Sequence, residues 1–264
     1  MGQDKTPMMP DEIVEIDIYE TRLCIPYRYV PHFLYLNCYP EIIPGKTVYG
    51  ILQEQRAQAL MIQYLRNAVL GSNAVLGSKD GKDGKLEGAL FVDIGASVGV
   101  FSLLAAQAGA DVVAFEASLG LCRILSQNLD NYPTRKIHCT ILSNETDQEL
   151  YIGKWGTNIT EVRDEPDEVL LEKVPVNRLD DYNLTPYFIK IDVEGMGIAV
   201  LEGASDTLTR TSVILAEVHD SNEYTGVVGL IEKAGFVWQV ISEAHLIGVK
   251  PPILLPKDFP KASC

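Results

Sequence analysis

From Glu87 onward the sequence alternates apolar runs of strand length with stretches of helical periodicity, and this alternation constrains the fold more than any other feature of the chain. Strands are expected over residues 89–94, 111–115, 136–142, 188–193, 213–218 and 237–241, and helices over 98–108, 119–128, 197–203 and 223–234. Strands that are apolar on both faces must be covered on both faces, so the pattern predicts an α/β fold: a doubly wound, mostly parallel sheet with helices on either side. Sheets of this kind bind ligands beyond the carboxyl ends of their strands, which directs the search for chemistry to the residues that follow each run.

Upstream the pattern is different. Residues 12–30 alternate apolar and polar side chains around Glu20-Thr21, as a hairpin would, and residues 48–70 carry apolar side chains at three- and four-residue spacing, as a packing helix would. NAVLGS at 67–72 is repeated letter for letter at 73–78 and followed by KDGKDG, units too short to bury a core. The expected organisation is an N-terminal hairpin-plus-helix extension (1–70), a low-complexity flexible loop (71–87), the α/β domain (88–250) and a Pro-rich tail (251–264).

The 264 residues include 36 Asp and Glu against 22 Lys and Arg, and a net charge of -14 repels polyanions, so no nucleic-acid partner is expected. Cys24, Cys38, Cys122, Cys139 and Cys264 contain no C-x-x-C pair, which argues against a disulfide framework or a structural zinc and for a reducing compartment. Met1-Gly2 with Thr6 meets a short myristoylation pattern, read as a chance match. No run of about 18 apolar residues and no signal-peptide pattern is present, and the expected location is cytoplasmic.

Three strand ends carry chemistry. The first is Phe91-Val92-Asp93-Ile94-Gly95-Ala96-Ser97-Val98-Gly99, a tight turn into an apolar helix. Ser97 occupies the second glycine position of the nicotinamide fingerprint, and Asp93 would repel a pyrophosphate while attracting an ammonium or sulfonium. At the second, Glu116 stands where an acid grips ribose hydroxyls. The third is Ile189-Lys190-Ile191-Asp192-Val193-Glu194-Gly195, in which Asp192 and Glu194 share a face and Lys190 is expected to pair with a carboxylate rather than act as a nucleophile. Glu217-Val218-His219-Asp220 would add an acid and a histidine to the same rim. Asp192 and Glu194 suit a general base, with His219 as a further candidate; Asp192, Glu194, Glu217 and His219 are also hard ligands for Mg²⁺, although no metal is expected.

Taken in order, FVDIGASVGVFSLLAAQAGADVVAFEA, NRLDDY, FIKIDVEGMGIAVLEGA and VILAEVH resemble the FkbM-type family of S-adenosylmethionine-dependent methyltransferases over roughly residues 88–242. The resemblance implies a Rossmann-like sheet of seven strands with a reversed last pair, S-adenosylmethionine as methyl donor, and transfer to a hydroxyl of a small molecule or sugar. Asp93, Gly95, Ala96, Ser97 and Gly99 would surround the methionine part of the donor, Glu116 with Ala117 the ribose, and Ser143 with Asn144 the adenine. Asp192 would face the sulfonium and the acceptor. Ser97 stands where the family commonly has Asn, Ala117 where it has Pro, and Gly197 where it has a second acid. The last departure keeps open a binding protein on the same fold that lacks turnover.

Overall fold

A computed structural model of the chain describes residues 13–18, 21–26, 61, 89–153, 171–242 and 244–255. Of the helix expected over 48–70 only Met61 is described, helical and buried; the loop expected at 71–87 and the tail past residue 255 lie outside the described residues. The expected hairpin forms. Strands β1 (Ile13–Ile18) and β2 (Thr21–Pro26) pair antiparallel with Ile18 opposite Thr21.

The α/β domain starts with β3 (Leu90–Ile94), α1 (Val100–Gln107), β4 (Asp111–Glu116), α2 (Leu119–Asn128) and β5 (Arg135–Cys139). Next come β6 (Ile141–Leu142), β7 (Gln148–Gly153), β8 (Leu171–Asn177) and a single 3-10 turn at Leu179–Tyr182. The chain continues through β9 (Phe188–Ile191), α3 (Gly197–Glu202), α4 (Ser205–Arg210), β10 (Val213–Glu217), α5 (Ser221–Lys233), β11 (Val237–Val240) and β12 (His245–Val249). Seven strands form one sheet in the order β5-β4-β3-β9-β10-β12-β11, with β12 antiparallel to both neighbours and the pairs from β5 through β10 parallel.

Side-chain alternation explains the layering. Phe91, Val112 and Ala114 pack with Leu103, Leu104 and Leu125 of α1 and α2 on one face, while Val92, Val113 and Phe115 pack with Leu201, Leu208 and Ile231 of α3, α4 and α5 on the other. Side chains point alternately to opposite faces, so both must be apolar once both are covered. Two helix starts are fixed by capping side chains: the Ser118 hydroxyl accepts the Leu121 N–H, and Asp220 accepts the N–H groups of Asn222 and Glu223.

Two expectations are corrected. The run 136–142 is not one strand but breaks at Thr140, whose N–H donates to the Glu116 carbonyl at 3.0 Å and whose hydroxyl donates to the Pro175 carbonyl at 2.8 Å. The chain then leaves the main sheet, and β6 pairs with β8 in a separate three-stranded sheet ordered β6-β8-β7. The cysteine reading also fails at one pair. Cys122 of α2 and Cys139 of β5 are joined as a disulfide with Cα atoms 6.0 Å apart, because α2 packs beside the strand that follows it, a proximity that their 17-residue separation does not display.

His245 lies in the reversed strand opposite Glu217, 6% exposed, with Nδ1 3.0 Å from the Ser242 hydroxyl. Burial lowers its pKa from 6.5 to about 4, with Lys190 and His219 adding to the effect and Asp192 opposing it. Between those values the unfolded chain takes up a proton that the folded chain refuses, so stability falls as pH falls, by about 3 kcal/mol over the window. Urea unfolding at pH 6.5 and pH 4.5 should show a smaller loss for His245→Gln than for the parent; equal losses would contradict this assignment.

Candidate active site at the strand ends

The sheet reverses its order of growth between β3 and β9, and the crevice at such a point is where an open α/β sheet receives a ligand. Asp93 and Lys190 are direct cross-strand partners there. The Lys190 ammonium, on a residue 4% exposed, donates to the Gly95 carbonyl at 2.8 Å and lies 3.4 Å from Asp93 Oδ1, 3.3 Å from Asp192 Oδ2 and 5.2 Å above the Phe101 ring. Asp93 is fully enclosed, and its Oδ2 accepts the Ser102 hydroxyl at 2.6 Å. One cation therefore ties the turn after β3 to the carboxylate after β9. Lys190 pairs with carboxylates, as its sequence context predicts.

The turn is packed against that neighbour. Gly95 has φ +73°, and a Cβ there would stand 1.7 Å from the Asp192 carbonyl oxygen, so any side chain would force the two loops apart. Its first three backbone donors are used internally: Gly95 and Ala96 donate to the Phe115 carbonyl at 2.9 and 3.0 Å, and Ser97 donates to Glu116 Oε2 at 2.8 Å. Gly99 caps α1 at φ +93°, where a Cβ would meet Leu125 at 2.4 Å. A loop whose first N–H groups are spent in this way offers no cradle for a pyrophosphate.

Glu116 is 7% exposed at the end of β4, and its other oxygen accepts the Ser118 N–H at 2.8 Å. Burial raises its pKa against the opposing pull of the Ser118 and Ser97 amides and of Lys190. Each carboxylate oxygen retains a lone pair after these two bonds, so two further donors can be accommodated. Beside it Ala117 and Met196 border the small core of Ile141, Ile152, Val174 and Val176. Ser143 is buried, its N–H on the Asn177 carbonyl and its own carbonyl lying where a Cβ on Gly203 would fall, 1.9 Å away. Asn144 is exposed and donates to Glu202 at 2.7 Å.

Asp192, Glu194 and His219 come together at the mouth, with one ligand atom from each lying within 4.8 Å of the others, close enough to share a proton network or a divalent ion. His219 Nε2 is 3.7 Å from Glu194 Oε2. The two acids differ in environment. Burial pushes the Asp192 carboxyl up, but the Lys190 ammonium and the Glu217 side chain together hold it below the usual Asp range. No lysine or arginine among the described residues pairs with Glu194; burial raises its pKa, with Asp192 and Glu223 adding to the rise and His219 opposing it.

Two contributors were not singled out in the sequence. Ser102, on the first turns of an otherwise apolar helix, anchors Asp93; its signal is a lone hydroxyl on a core-facing position. Glu223, 4% exposed, accepts the Gly197 N–H and the His219 N–H, each at 2.8 Å; Asp220-x-x-Glu223 marks a helix start, but nothing local points to Gly197.

Removing Lys190 would leave Asp93 buried and uncompensated. Lys190→Met should cost about 3–5 kcal/mol in urea unfolding, and Asp93→Asn in the same background should restore part of it. A single-variant loss below 1 kcal/mol, about what an exposed pair is worth, would mean that the pair is not buried in solution.

Among solved structures the chain is similar to precorrin-6y C5,15-methyltransferase from Geobacter metallireducens, at 14% identity and TM-score 0.42 over 80% of this chain and 92% of that one. It is also similar to a SAM-dependent methyltransferase from Agrobacterium tumefaciens, at 12% identity and TM-score 0.46 over 94% and 72%. A third similarity is to magnesium protoporphyrin IX methyltransferase from Synechocystis, at 12% identity and TM-score 0.42 over 79% and 86%. A search of curated proteins found no match. Among the described residues no helix is long and apolar enough to cross a membrane. The methyltransferase FkbM domain matches residues 93–245, more than half of the sequence and the whole of the strand-end crevice, and the chain belongs to the FkbM methyltransferase family.

Proposed function

We propose that the protein is an S-adenosylmethionine-dependent O-methyltransferase acting on a hydroxyl of a small molecule or sugar. The observation that carries the donor assignment is Glu116: an enclosed carboxylate at a strand end beside the switch point, with two lone pairs left after its bonds to Ser97 and Ser118. Vicinal ribose hydroxyls match that vacancy, and the spent loop amides disfavour a dinucleotide. When bound, S-adenosylmethionine supplies an electrophilic methyl group on a sulfonium. The donor set suits a cation, since Asp192 is held ionised at the β9 end while Lys190, enclosed among Gly95, Asp93 and Asp192, is spent on them.

The acids then divide their work. Asp192, kept as a carboxylate by Lys190, complements positive charge near the sulfur and is a weak base. Glu194, with its pKa raised by burial and His219 at 3.7 Å, is the better proton acceptor for the hydroxyl as it attacks. The reaction requires the oxygen and the methyl carbon about 3–3.5 Å apart and in line, so the loops after β9 and β10 serve chiefly to orient the acceptor.

Calorimetric titration with S-adenosylhomocysteine should show binding that Glu116→Ala weakens by tenfold or more, while NAD does not bind; undisturbed binding in the variant would remove Glu116 from the site. With radiolabelled S-adenosylmethionine and a panel of sugars, polyols and phenols, Glu194→Gln and His219→Ala should each lower single-turnover transfer by about 10²-fold, within the range of a positioned base. Loss below tenfold in both would sink the acid–base assignment. Transfer should survive chelator; a loss restored by Mg²⁺ would reassign Asp192, Glu194 and His219 as ligands. Donor binding without transfer to any panel member would favour the binding protein over the enzyme.

A further inference from the structure

Glu194 and His219 stand on different loops, one after β9 and one after β10, and the parallel pairing of these strands ends at Ile191 and Ala216, short of both residues. The direct pairing of β9 with β10 therefore does not fix their separation. Glu223 is in the first turn of α5, where its N–H is held by the Asp220 cap, and its side chain turns inward to 4% exposure. Oε1 accepts the N–H of Gly197, the first residue of α3 and the end of the Asp192–Glu194 loop. Oε2 accepts the N–H of His219 itself. A single buried carboxylate thus grips both loops, each by a bond of 2.8 Å. Gly197 makes room for it: a Cβ there would lie 2.8 Å from Oε1 and 3.6 Å from Cδ, so the carboxylate occupies space that a side chain at 197 would claim.

We propose that Glu223 is a positioning residue for methyl transfer, fixing the distance between Glu194 and His219 from beneath the site without touching donor or acceptor. The inference rests on the assignment of Glu194 and His219 as the proton-handling pair. Bonds from backbone N–H to an ionised acceptor are stronger than neutral ones, and two on one rigid side chain remove the relative sliding of the loops. Glutamine has the same shape but presents one acceptor and one donor, so it can keep only one of the two bonds.

The test compares the parent with Glu223→Gln, both bound to S-adenosylhomocysteine for the physical readouts. Amide exchange at Gly197 or His219 should speed up by tenfold or more in the variant, with the amides of β3 and β4 unchanged and S-adenosylhomocysteine affinity within twofold. Transfer to the best acceptor of the panel should fall by about tenfold or more, the scale of a catalytic group displaced by a fraction of an ångström to an ångström. Gly197→Ala, which retains Glu223 but crowds its carboxylate, should lower transfer in the same direction with donor affinity retained, and provides the test where the Gln variant does not fold. Unchanged exchange at both amides, or transfer within twofold of the parent in a folded variant, would overturn the proposal. Absence of transfer by the parent itself is a failure of the enzymatic reading instead, and the amide exchange then decides whether the clamp exists.

Discussion

The site is organised around a buried ammonium. Lys190 sits in the middle of the sheet, where an unpaired charge would be too costly to keep, and its partners lie at the ends of two strands that meet only because the sheet reverses there. Through the Gly95 carbonyl it holds the turn after β3; through Asp93 it reaches Ser102 and α1; through Asp192 it reaches the rim. Exchange of the whole ion set for hydrocarbon of similar volume is often neutral or stabilising, in contrast to removal of the ammonium alone. What hydrocarbon could not do is keep Asp192 ionised beside a close-packed glycine turn, as the proposed donor site would require.

The two halves of the crevice are built differently. On the β4 side, Glu116 is clamped by backbone amides of its own and the preceding loop, which fixes the position of its carboxylate. On the β9 and β10 side, Lys190 holds the half-buried Asp192, and Glu223 holds the backbone at Gly197 and His219 from below. On the proposed function, the first arrangement would hold one constant piece of a donor and the second would face the acceptor. The disulfide between Cys122 and Cys139 lies behind the first, with Cys139 paired in register to Glu116.

How far the sequence disclosed this depends on whether each feature was local. The β3, β4, β9 and β10 strands were legible because both faces are apolar and each ends in a glycine or an acid, and the Asp93, Glu116 and Asp192–Glu194 positions followed from those ends. The pairing of Lys190 with carboxylates was legible for the same reason. Thr140 was not: a threonine within an apolar run gives no sign that the chain changes sheets, and β8, with Glu172, Lys173 and Pro175, does not read as a strand. Cys122 with Cys139, 17 residues apart, and Glu223 with Gly197, 26 residues apart, are meetings across the fold that no periodicity reports. The absent side chain at Gly197 looked like a loss; in the folded chain its space is filled by a carboxylate from another helix.

The central claim is that the crevice between β3 and β9, bounded by Glu116 and Asp192, receives the methyl donor. A crystal structure of the protein with S-adenosylhomocysteine tests it most directly. The account predicts both ribose hydroxyls on the Glu116 carboxylate and the sulfur near Asp192, above the turn at Gly95, with Lys190 still on its three partners. A ligand bound elsewhere, or bound there with Glu116 turned away from the ribose, would contradict it.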